Sequence, residues 1–571
     1  MSASSTTHRG PRRWVGAAAA RFPGLIEAYR WVRNPAWQRA VEADLRHTRR
    51  TSRFLAALPP AAADGPTALV SLYRDDIFDA KVAMVLASAL RTRGVRPVFL
   101  TPTARNHRIR RYAKAYGIAD VRARDGVVLT AAERATVAQV ADALMGGPID
   151  VDTVRDWTHD GFRVGYHVIS TLIRRTFDGS PELRLDTTRA LLDDILREVL
   201  TAYVVCGRVL DDVAPTVVLV EEANYAVNGP LVDVAVARGI DVVQTITIWR
   251  DDALMSKRLT AANRRVDAKS VAPETLTRLE AEGGFPPDDR LDAELDADFT
   301  HRYDGRWALS AQFQPDTRPF TPEEIVERVG LDPGKPTAVV FAHVLWDATL
   351  FFGVDLFDNY ADWLHHTVVA AAANPNLNWI VKTHPSNVFR SAHGDIAAGA
   401  SSEAEIVRAA LPTLPAHLHL LAPDTPISTL SLHEFADFGL TVRGTAGLEM
   451  AAFGTPVLTA GTGAYSGLGF TVDSADRAEY LDRLAALPAV EVPAVDARRR
   501  ARRYAHTLFV RRPWVARSIA LRFAFLSEGW HPLDRNVEWT VTSVAALAAS
   551  PDLGAWAAWA LDTDAPDFIA D

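Results

Sequence analysis

The alternation of short apolar segments with helical segments is the feature that most constrains how this chain can fold. In the first half, apolar segments at 68–73 and 97–101 flank a helical pattern over 80–93, which ends at Gly94. A similar alternation begins again at Thr337. Strands that alternate with helices are typical of parallel sheets whose faces are covered by helices. The pattern therefore predicts an α/β protein with two such units.

The two predicted units differ in what interrupts them. In the first, a largely helical stretch over 128–212 precedes further strands at 217–220 and 241–247, and we interpret it as a helical insertion. The polar stretch from 251 to 335 is rich in Pro and Gly and is expected to connect the units. In the second unit, strands are predicted at 338–342, 378–383, 417–421, 438–442 and 456–460. The predicted boundaries are an N-terminal helical basic segment (1–57), a first Rossmann-like domain with the insertion (58–320), a second Rossmann-like domain (321–485) and C-terminal helices (486–571).

Composition and charge exclude several classes of protein. At 571 residues the chain exceeds the size of a single hydrophobic core, and its 48% hydrophobic content is that of a folded protein. A net charge of -8 argues against nucleic-acid binding. One cysteine, Cys206, excludes a disulfide framework and a cysteine-built zinc site. No apolar segment approaches the roughly 18 residues that span a bilayer. The short apolar segment 14–20, which follows Arg12-Arg13, is interpreted as part of a basic amphipathic helix, with an export signal as the alternative, and we expect a cytoplasmic protein.

Polar and glycine residues follow the predicted strands of the second unit. In an open parallel sheet, ligands bind at the carboxyl ends of the strands, so these residues are expected to line one site. In chain order they are His343, Asp347, Lys382, His384, Pro385, Asn387, Arg443, Gly444, Thr445, Gly447, Glu449 and Tyr465. The sequence therefore predicts a polar ligand site at this edge of the second sheet.

The segment 443–449 is suited to an anionic ligand. Gly444 and Gly447 allow the backbone to approach a ligand closely, and Thr445 supplies a hydroxyl at the predicted start of a helix. Backbone N–H groups and the helix dipole at such a start attract a phosphate. Glu449 lies one turn later on the same face and is a candidate acceptor for ribose hydroxyls. The alternative is that Thr445 only caps the helix and that Glu449 is only a first-turn acid.

The His384-Pro385 pair is a second indication of a ligand. Proline fixes the turn that follows the strand, and the imidazole can donate a hydrogen bond to a phosphate or to a base. Lys382 and Asn387 add polar groups on either side of the pair. In the alternative interpretation, His384 is structural and Lys382 is a solvated residue at the strand end.

Three segments together resemble the bacterial capsule polysaccharide biosynthesis family, which includes Kdo transferases. These segments are Lys382-Thr-His384-Pro385 and the stretches 443–457 and 465–473. The His-Pro element and the hydroxyl-bearing helix start also resemble those of polysialyltransferases, in which they hold a CMP moiety. The resemblance implies a GT-B architecture, with two Rossmann-like domains facing a cleft, and a glycosyltransferase that uses a nucleotide sugar as substrate and no separate cofactor. It implies a CMP-activated Kdo or related acidic sugar in the second domain, and a surface polysaccharide or glycolipid acceptor in the first.

The same resemblance implies a base or nucleophile from the first domain. Glu221 and Glu222 directly follow the strand at 217–220, and their position resembles the acidic-acidic-glycine element of sialyltransferase-like families, with Ala223 in place of glycine. A carboxylate there can deprotonate an acceptor hydroxyl or attack an anomeric carbon. The alternative is a pair of acids that closes a strand into a turn. The second-ranked candidates follow the first strand and are Asp75, Asp76 and Asp79.

Metal and membrane signals are weak in this sequence. No Asp-x-Asp pair at a strand end and no histidine pair at ligand spacing is present, so a metal-independent reaction is expected. The arginine-rich segment 498–517 is a candidate for peripheral contact with anionic lipid at the inner face of the plasma membrane, and the alternative is a helix face packed across the domains. Two other functions stay open: a glycerophosphotransferase-like GT-B enzyme and a non-catalytic, nucleotide-binding member of a polysaccharide assembly.

Overall fold

Two sheets, each covered by helices, organise the chain. The computed structural model describes residues 31–62, 64–104, 107–308, 316–347, 350–385, 402–490, 496–523 and 533–570. Within these ranges, one large sheet has seven strands and the other has six, and the central strands of both are parallel. The predicted α/β architecture of two Rossmann-like domains, GT-B-like in its arrangement, is confirmed.

The first sheet is built mainly by the N-terminal half of the chain. Its strands there are β1 (Thr67–Ser71), β2 (Arg96–Thr101), β3 (Val121–Ala123), β4 (Val217–Val220), β5 (Asp241–Thr247) and β6 (Ala253–Leu259). They lie in the order β6-β5-β4-β1-β2-β3, and all pairs are parallel except β5 with β6. Every residue of β1 and β4 is buried. Helices cover both faces of these strands, which explains their continuous apolar sequences.

Strand β6 lies in the stretch that was predicted to be a connection. All of its residues are buried, including Lys257 and Arg258. The Lys257 ammonium pairs with Asp567 (Nζ–Oδ1 2.8 Å), and the Arg258 guanidinium donates hydrogen bonds to backbone carbonyl groups within 559–563. Charged residues can occupy this buried strand because partners distant in sequence satisfy them. The stretch 251–335, predicted to be a connection, therefore also contributes a strand to the first sheet.

Helices of the N-terminal half cover the first sheet. They are α1 (Pro35–Thr51), α2 (Ile77–Arg91), α3 (His107–Ala115), α4 (Ala131–Met145), α5 (Val151–Arg155), α6 (Val164–Thr176), α7 (Asp186–Val213), α8 (Tyr225–Ala237), α9 (Pro273–Ala281) and α10 (Asp288–Tyr303), with short 3-10 turns at Arg53–Ala57 and Arg124–Gly126. Helices α4 to α7 form the insertion predicted at 128–212. Leu192, Leu196 and Val199 of α7 share a buried cluster with Val218 and Val220 of β4, so the insertion completes one face of the sheet.

The second sheet is formed by β7 (Thr337–Phe341), β8 (Asn378–Lys382), β9 (Leu418–Leu421), β10 (Phe438–Thr441), β11 (Val457–Thr459) and β12 (Val472–Asp473). Its order is β12-β11-β10-β7-β8-β9, with all pairs parallel. The flanking helices are α11 (Pro322–Val329), α12 (Tyr360–Ala373), α13 (Glu403–Ala410), α14 (Thr429–Phe435), α15 (Thr445–Phe453) and α16 (Arg477–Ala486). In both sheets the strand order reverses beside the first strand, between β1 and β4 and between β7 and β10. Ligands of such sheets bind at this switch point.

The C-terminal segment returns to the first sheet. Helices α17 (Ala497–His506), α18 (Val544–Ala548) and α19 (Leu553–Asp562), with a π-helical turn at Thr507–Arg511, agree with the predicted helical segment. The structure adds strands β13 (Trp514–Val515), β14 (Ile519–Phe523) and β15 (Arg535–Trp539). Strand β13 pairs with β6, and β14 pairs with β15 in a hairpin. Trp514 and Trp556 share a core cluster with Phe78 of α2, so this segment belongs to the N-terminal domain.

The arginine-rich run of α17 packs against the acidic helix α10. Arg499 pairs with Asp288 (Nη2–Oδ2 2.5 Å), and Arg502 pairs with Asp292 and with Asp296 (Nη2–Oδ1 2.7 Å). These contacts favour the packed-face alternative over lipid contact for this segment. Within the described ranges, no helix has the length and apolar character required to cross a membrane.

Candidate functional site

A cavity of about 370 Å³ opens at the carboxyl ends of β1, β4 and β5. Both domains and the C-terminal hairpin contribute to its wall. The polar and aromatic residues that line it include Tyr73, Arg74, Asp79, Arg174, Glu221, Glu222, Tyr225, Asp347, Phe351, Phe352 and Arg535. The cavity therefore lies between the two domains, at the switch point of the first sheet.

Glu222 lies just after β4, in a turn held by hydrogen bonds. Its Oε1 accepts a hydrogen bond from the backbone N–H of Asn224 (2.9 Å), and its backbone oxygen accepts one from Asn228 (Nδ2–O 2.8 Å). Burial raises the pKa of the Glu222 carboxyl above its ordinary value; the Asn224 hydrogen bond partly offsets this rise, and the carboxylate of Asp347 reinforces it. A carboxylate whose pKa is raised is a better proton acceptor near neutral pH.

Glu221 and Asp79 are a second pair of carboxyl groups in the same cavity. Burial raises the pKa of both, and repulsion from the Asp79 charge helps to raise the pKa of Glu221 well above its ordinary value. Arg74 opposes this effect, since its Nε lies 3.0 Å from Asp79 Oδ2. Interacting carboxyl groups in a poorly solvated site favour a state in which one of them keeps a proton. Glu221 is therefore suited to hold or exchange a proton.

Asp76, predicted as a possible site residue, caps a helix instead. Its Oδ1 accepts hydrogen bonds from the backbone N–H groups of Phe78 (2.9 Å) and Asp79 (3.1 Å), and its Oδ2 pairs with Arg535 (Nη2–Oδ2 3.2 Å). These contacts make Asp76 the N-cap of α2. Of the three second-ranked acids, Asp79 lines the cavity and Asp75 is exposed to solvent.

Arg264 supports the turn that carries Glu222. Its guanidinium donates hydrogen bonds to Ala223 O (2.8 Å) and Asn224 Oδ1 (3.1 Å) and pairs with Asp233 (Nε–Oδ1 2.7 Å). Burial alone would raise the pKa of Asp233, but the charges of His167 and Arg264 hold it below its ordinary value. No local pattern in the sequence marks Arg264, since it lies forty positions from Asn224.

In the second domain, His343 follows β7 and is held as a neutral imidazole. Its Nε2 accepts a hydrogen bond from the backbone N–H of Val442 (3.1 Å) and lies 3.0 Å from Thr441 Oγ1. Its ring stacks on Tyr360, with centroids 4.4 Å apart. Burial lowers the pKa of His343 to about 3, and the cation of Arg443 contributes. Since Nε2 is the acceptor, the ring proton is on Nδ1, which can donate to a ligand.

Arg443 follows β10 and is the best candidate for binding an anion. Its side chain is 7% exposed and pairs with Asp355 through Nη2. Its Nε and Nη1 are buried and have no hydrogen-bond acceptor among the described residues. Buried donors without acceptors are costly, so this arginine fits a site that takes a further acceptor. A phosphate oxygen is an acceptor of the right kind.

Helix α15 begins beside Arg443, with Gly444 as its N-cap and Thr445 exposed as its first residue. The first N–H groups of a helix lack intrahelical acceptors and attract anions. The hydroxyl of Tyr465 donates a hydrogen bond to Gly444 O (2.7 Å), so Tyr465 positions this loop from behind. A Cβ at Gly447 would lie 2.4 Å from the same hydroxyl. Gly447 therefore makes room for Tyr465, not for a ligand as the sequence suggested.

Glu449 is buried in an ion-pair cluster, and only 2% of its surface is exposed. Its Oε1 pairs with Arg302 of α10 (3.0 Å), and its Oε2 accepts a hydrogen bond from the Tyr303 hydroxyl (2.5 Å). His433 Nδ1 lies 3.6 Å from Oε2. Because both oxygens are engaged by protein partners, the geometry does not support the predicted ribose contact. Glu449 instead ties α15 to α10.

Lys382 is the last residue of β8, and its side chain points into the protein with 3% exposure. Its Nζ donates a hydrogen bond to Thr383 O (3.1 Å). Burial lowers the pKa of Lys382 to about 8, and the carboxylates of Glu403 and Asp424 oppose this shift. Lys382 is therefore a buried lysine that lies near two acids. The geometry supports neither the predicted solvated residue nor the predicted ligand-binding residue.

The His384-Pro385 turn comes next in the chain, and both residues are partly exposed. The backbone N–H of His384 donates a hydrogen bond to Glu403 Oε1 (3.3 Å), which holds the turn. His384 is close enough to His343 for its charge to influence the pKa of that residue. Three strand ends of the second sheet thus bring His343, His384 and Arg443 together. Asn387 lies outside the described residues.

The loop after β7 contributes a residue to each of the two groups. His343 at its start belongs to the Arg443 cluster, whereas Asp347 further along lines the cavity with Glu222. Asp347 pairs across the domains with Arg174 of α6 (Oδ1–Nη1 2.6 Å). One loop of the second domain thus carries a residue of the cationic cluster and a residue of the cavity that holds the carboxylates. Among the described residues, no group of three or more His, Cys, Asp or Glu side chains could hold a metal ion.

No protein-family profile and no curated protein matches this chain. Solved structures similar to it include KpsC of Thermosulfurimonas dismutans as beta Kdo 2,4 transferase (13% identity, 50% of this chain and 79% of that chain, TM-score 0.31) and as beta Kdo 2,7 transferase (14% identity, 58% and 85%, TM-score 0.32). UDP-GlcNAc 2-epimerase from Neisseria meningitidis, bound to UDP-GlcNAc, is also similar (12% identity, 77% and 95%, TM-score 0.25). At these values the similarity assigns no activity to the chain.

Proposed function

We propose that this protein is a glycosyltransferase that moves a sugar from a nucleotide-activated donor to a hydroxyl acceptor. The observation that carries the proposal is a pair of charge clusters at strand ends of the two domains. Carboxyl groups of raised pKa line the interdomain cavity, and in the second domain a buried arginine with unsatisfied donors lies beside a helix start. Such a transfer needs a proton acceptor for the attacking hydroxyl and positive charge for the departing phosphate.

The second domain would bind the donor through its phosphate. Arg443 supplies donors at Nε and Nη1, and the first turn of α15 at Thr445 supplies backbone N–H groups. The Nδ1 proton of His343 and the side chain of His384 would complete a ring of donors around the phosphate and the nucleoside. These groups are positioned before the ligand arrives, which is what stabilises a developing charge most effectively.

The first domain would supply the base. Glu222 accepts the proton of the acceptor hydroxyl while the oxygen of that hydroxyl attacks the anomeric carbon. The bond from that carbon to the donor phosphate breaks. The electron pair leaves with the phosphate, where Arg443 and the start of α15 stabilise it, and the proton stays on Glu222. Glu221 is the second candidate for the base, because its pKa is also raised and it lies in the same cavity.

The donor and acceptor we propose come from the sequence motifs. The segment Lys382-Thr-His384-Pro385 and the stretch 443–457 resemble those of capsule Kdo transferases, which supports a CMP-activated Kdo or related acidic sugar. The same resemblance supports a surface polysaccharide or a lipid-linked glycan as the acceptor. The proposed reaction uses no metal, since Arg443 and the helix dipole would neutralise the departing phosphate.

Thermal unfolding in the presence of CMP, CDP, UDP or GDP tests the donor site. A ligand that binds only the folded state stabilises it by about 2.7 kcal/mol at a hundred times its Kd. We expect CMP to raise the unfolding temperature most. A protein that none of the four nucleotides stabilises would contradict the proposed donor site.

Replacing Glu222 by Gln tests the base. The Glu222→Gln variant should lose roughly a hundredfold or more in transfer rate, because general base catalysis contributes on that scale, while its CMP affinity stays unchanged. In the unaltered enzyme, the rate should fall with decreasing pH through the pKa of Glu222, which lies above that of an ordinary glutamate. The exposed Glu282→Gln is the matched control. Full activity of both Glu222→Gln and Glu221→Gln would move the role of base to Asp79.

The same assays separate the two other functions. Release of CMP from a CDP-glycerol donor, with no transfer from CMP-activated sugars, would select a glycerophosphotransferase-like enzyme. CMP binding without turnover of any activated donor would select a non-catalytic member of a polysaccharide assembly.

A further inference from the structure

Helix α1 presents a basic face to solvent. Its opposite side is buried against the first domain and consists of Gln38, Val41, Leu45 and Thr48. Arg39, Arg46 and Arg50 are separated by seven and four residues, so they share one side of the helix, and all three are exposed. The exposed Arg53 follows at the next turn. The outer side of α1 is therefore a row of guanidinium groups, which we name the α1 basic face.

The acids of α1 form their direct ion pairs with residues of other helices. Glu42 pairs with Arg111 of α3, and Asp44 pairs with Lys81 of α2 (3.2 Å). In the part of the chain that the structure describes, Arg39, Arg46 and Arg50 form no ion pair with a carboxylate. This differs from α17, whose arginines pair with the acids of α10.

The composition of the N-terminal stretch of the sequence and the exposed residues before α1 favour an anionic lipid surface as the partner. The first 53 residues contain eleven arginines and three acidic residues, although the whole chain has a net charge of -8. Positive charge concentrated at one end of an otherwise acidic chain indicates an interaction surface for an anion-rich partner. Trp31 and Val32, just before α1, are 39% and 84% exposed. Exposed apolar groups beside a basic face suit a membrane interface, where both kinds of group find partners.

The position of α1 connects this face to the cleft. Asn536 of β15 donates a hydrogen bond to Asp44 of α1 (Nδ2–Oδ1 2.9 Å). The neighbouring Arg535 pairs with Asp76 and lines the cavity between the domains. A lipid surface bound by α1 would thus lie next to β15, the strand whose Arg535 forms part of the cavity wall.

We propose that the α1 basic face docks the protein on an anionic lipid surface, with Arg39, Arg46 and Arg50 contacting lipid phosphates. The interaction is electrostatic, so it weakens as salt screens the charges. It does not depend on the proposed transfer chemistry, since neither the donor cluster nor the carboxylates take part.

Co-sedimentation of the full-length protein with lipid vesicles tests the proposal. We expect binding to vesicles of phosphatidylcholine with phosphatidylglycerol, no binding to phosphatidylcholine alone, and loss of binding as salt rises. The triple variant Arg39→Gln/Arg46→Gln/Arg50→Gln should bind at least about tenfold more weakly, because each basic group near such a surface contributes measurably. The matched control, Arg134→Gln/Arg184→Gln/Arg278→Gln, removes three exposed arginines elsewhere and should bind like the unaltered protein.

Three results would overturn the proposal. The first is absence of binding to the anionic vesicles at low salt, and the second is equal binding by the triple variant and the unaltered protein. The third is tighter binding to heparin or DNA than to vesicles, lost in the triple variant, which would assign the face to a soluble polyanion. Circular dichroism unfolding curves establish that both variants fold, and Trp31→Ser tests the apolar contribution separately.

Discussion

Arg443 and Glu449 belong to one sequence motif, yet the structure gives them different surroundings. Both are buried charges, but Glu449 has protein partners for each oxygen, whereas two nitrogens of Arg443 have none among the described residues. At the scale of the residue, this difference separates a structural charge from one that fits a ligand, since a buried donor costs free energy until an acceptor reaches it.

Replacing Arg443 should weaken nucleotide binding. Hydrogen bonds to charged groups contribute about 1.5–3 kcal/mol, so Arg443→Gln should raise the Kd for CMP by roughly 10- to 150-fold. The change also leaves the Asp355 carboxylate without its partner, which lowers the free energy of unfolding. Arg443→Gln/Asp355→Asn should recover stability and still bind CMP weakly. The exposed Arg328→Gln serves as the control in calorimetry, and unchanged CMP affinity in Arg443→Gln would contradict the assignment.

Glu221 should make the free energy of unfolding decrease as pH rises. Its pKa is raised in the folded protein, so the folded state binds more protons than the unfolded state between the two pKa values. Stability contributed by this group is therefore present below the unfolded pKa and lost as pH rises through the folded one. Glu221→Gln should stabilise the protein at neutral pH and have little effect in acid. Urea unfolding at several pH values measures this, and a pH-independent difference would rule it out.

At the scale of the element, the start of α15 depends on a close contact between two segments. Tyr465 reaches Gly444 O only because Gly447 has no side chain. The glycine-rich segment 443–447 is therefore shaped by a tyrosine about twenty positions later, and both residues that the sequence assigned to ligand contact support the loop instead.

Gly447→Ala should destabilise the protein and displace the start of α15. The added methyl group would lie 2.4 Å from the Tyr465 hydroxyl and 2.8 Å from Thr441 Cγ2. Overpacking of this kind costs about 1–3 kcal/mol. Gly447→Ala/Tyr465→Phe should recover part of that loss because the hydroxyl is removed, and Gly126→Ala, where the added methyl meets open space, should cost little. Equal unfolding curves for Gly447→Ala and the unaltered protein would refute this account.

At the scale of the whole molecule, the C-terminal segment completes the N-terminal domain. Asp567 is buried between Lys257 of β6 and Arg512, and it also accepts hydrogen bonds from Ala272 N (2.7 Å) and the Thr275 hydroxyl (2.9 Å). One carboxylate therefore joins the end of the chain, the edge of the first sheet and the start of α9.

Asp567→Asn should unfold the protein more easily. Removing one partner of a buried ion pair costs about 3–5 kcal/mol, and here two cations would be left facing each other. Charges of Arg512 and Lys257 hold the pKa of Asp567 below its ordinary value against the effect of burial. Its stabilisation is thus present above the unfolded pKa and lost as pH falls through the folded pKa, and the variant should lack this pH dependence. The exposed Asp564→Asn should unfold like the unaltered protein in the same urea series.

The candidate site could be predicted in part. The carboxyl-end positions of His343, His384 and Arg443 follow from strand assignment alone, because parallel strands place their ends at one edge. The surroundings of Glu449, Lys382 and Asp76 could not be predicted, because their partners lie on other elements. Local patterns contain no information about which distant charge will reach a buried group.

By itself, the sequence determined the α/β alternation, most strands of both sheets and the helical insertion. The reason is that the spacing of apolar residues over a short stretch of chain indicates which side of a strand or helix is buried. Only the tertiary structure decided that β6 is a strand, that the C-terminal segment returns to the first sheet and that the arginines of α17 face α10. In each case charged residues are buried or neutralised by partners far along the chain. Their energetic cost depends on those partners, so it cannot be judged until the chain has folded.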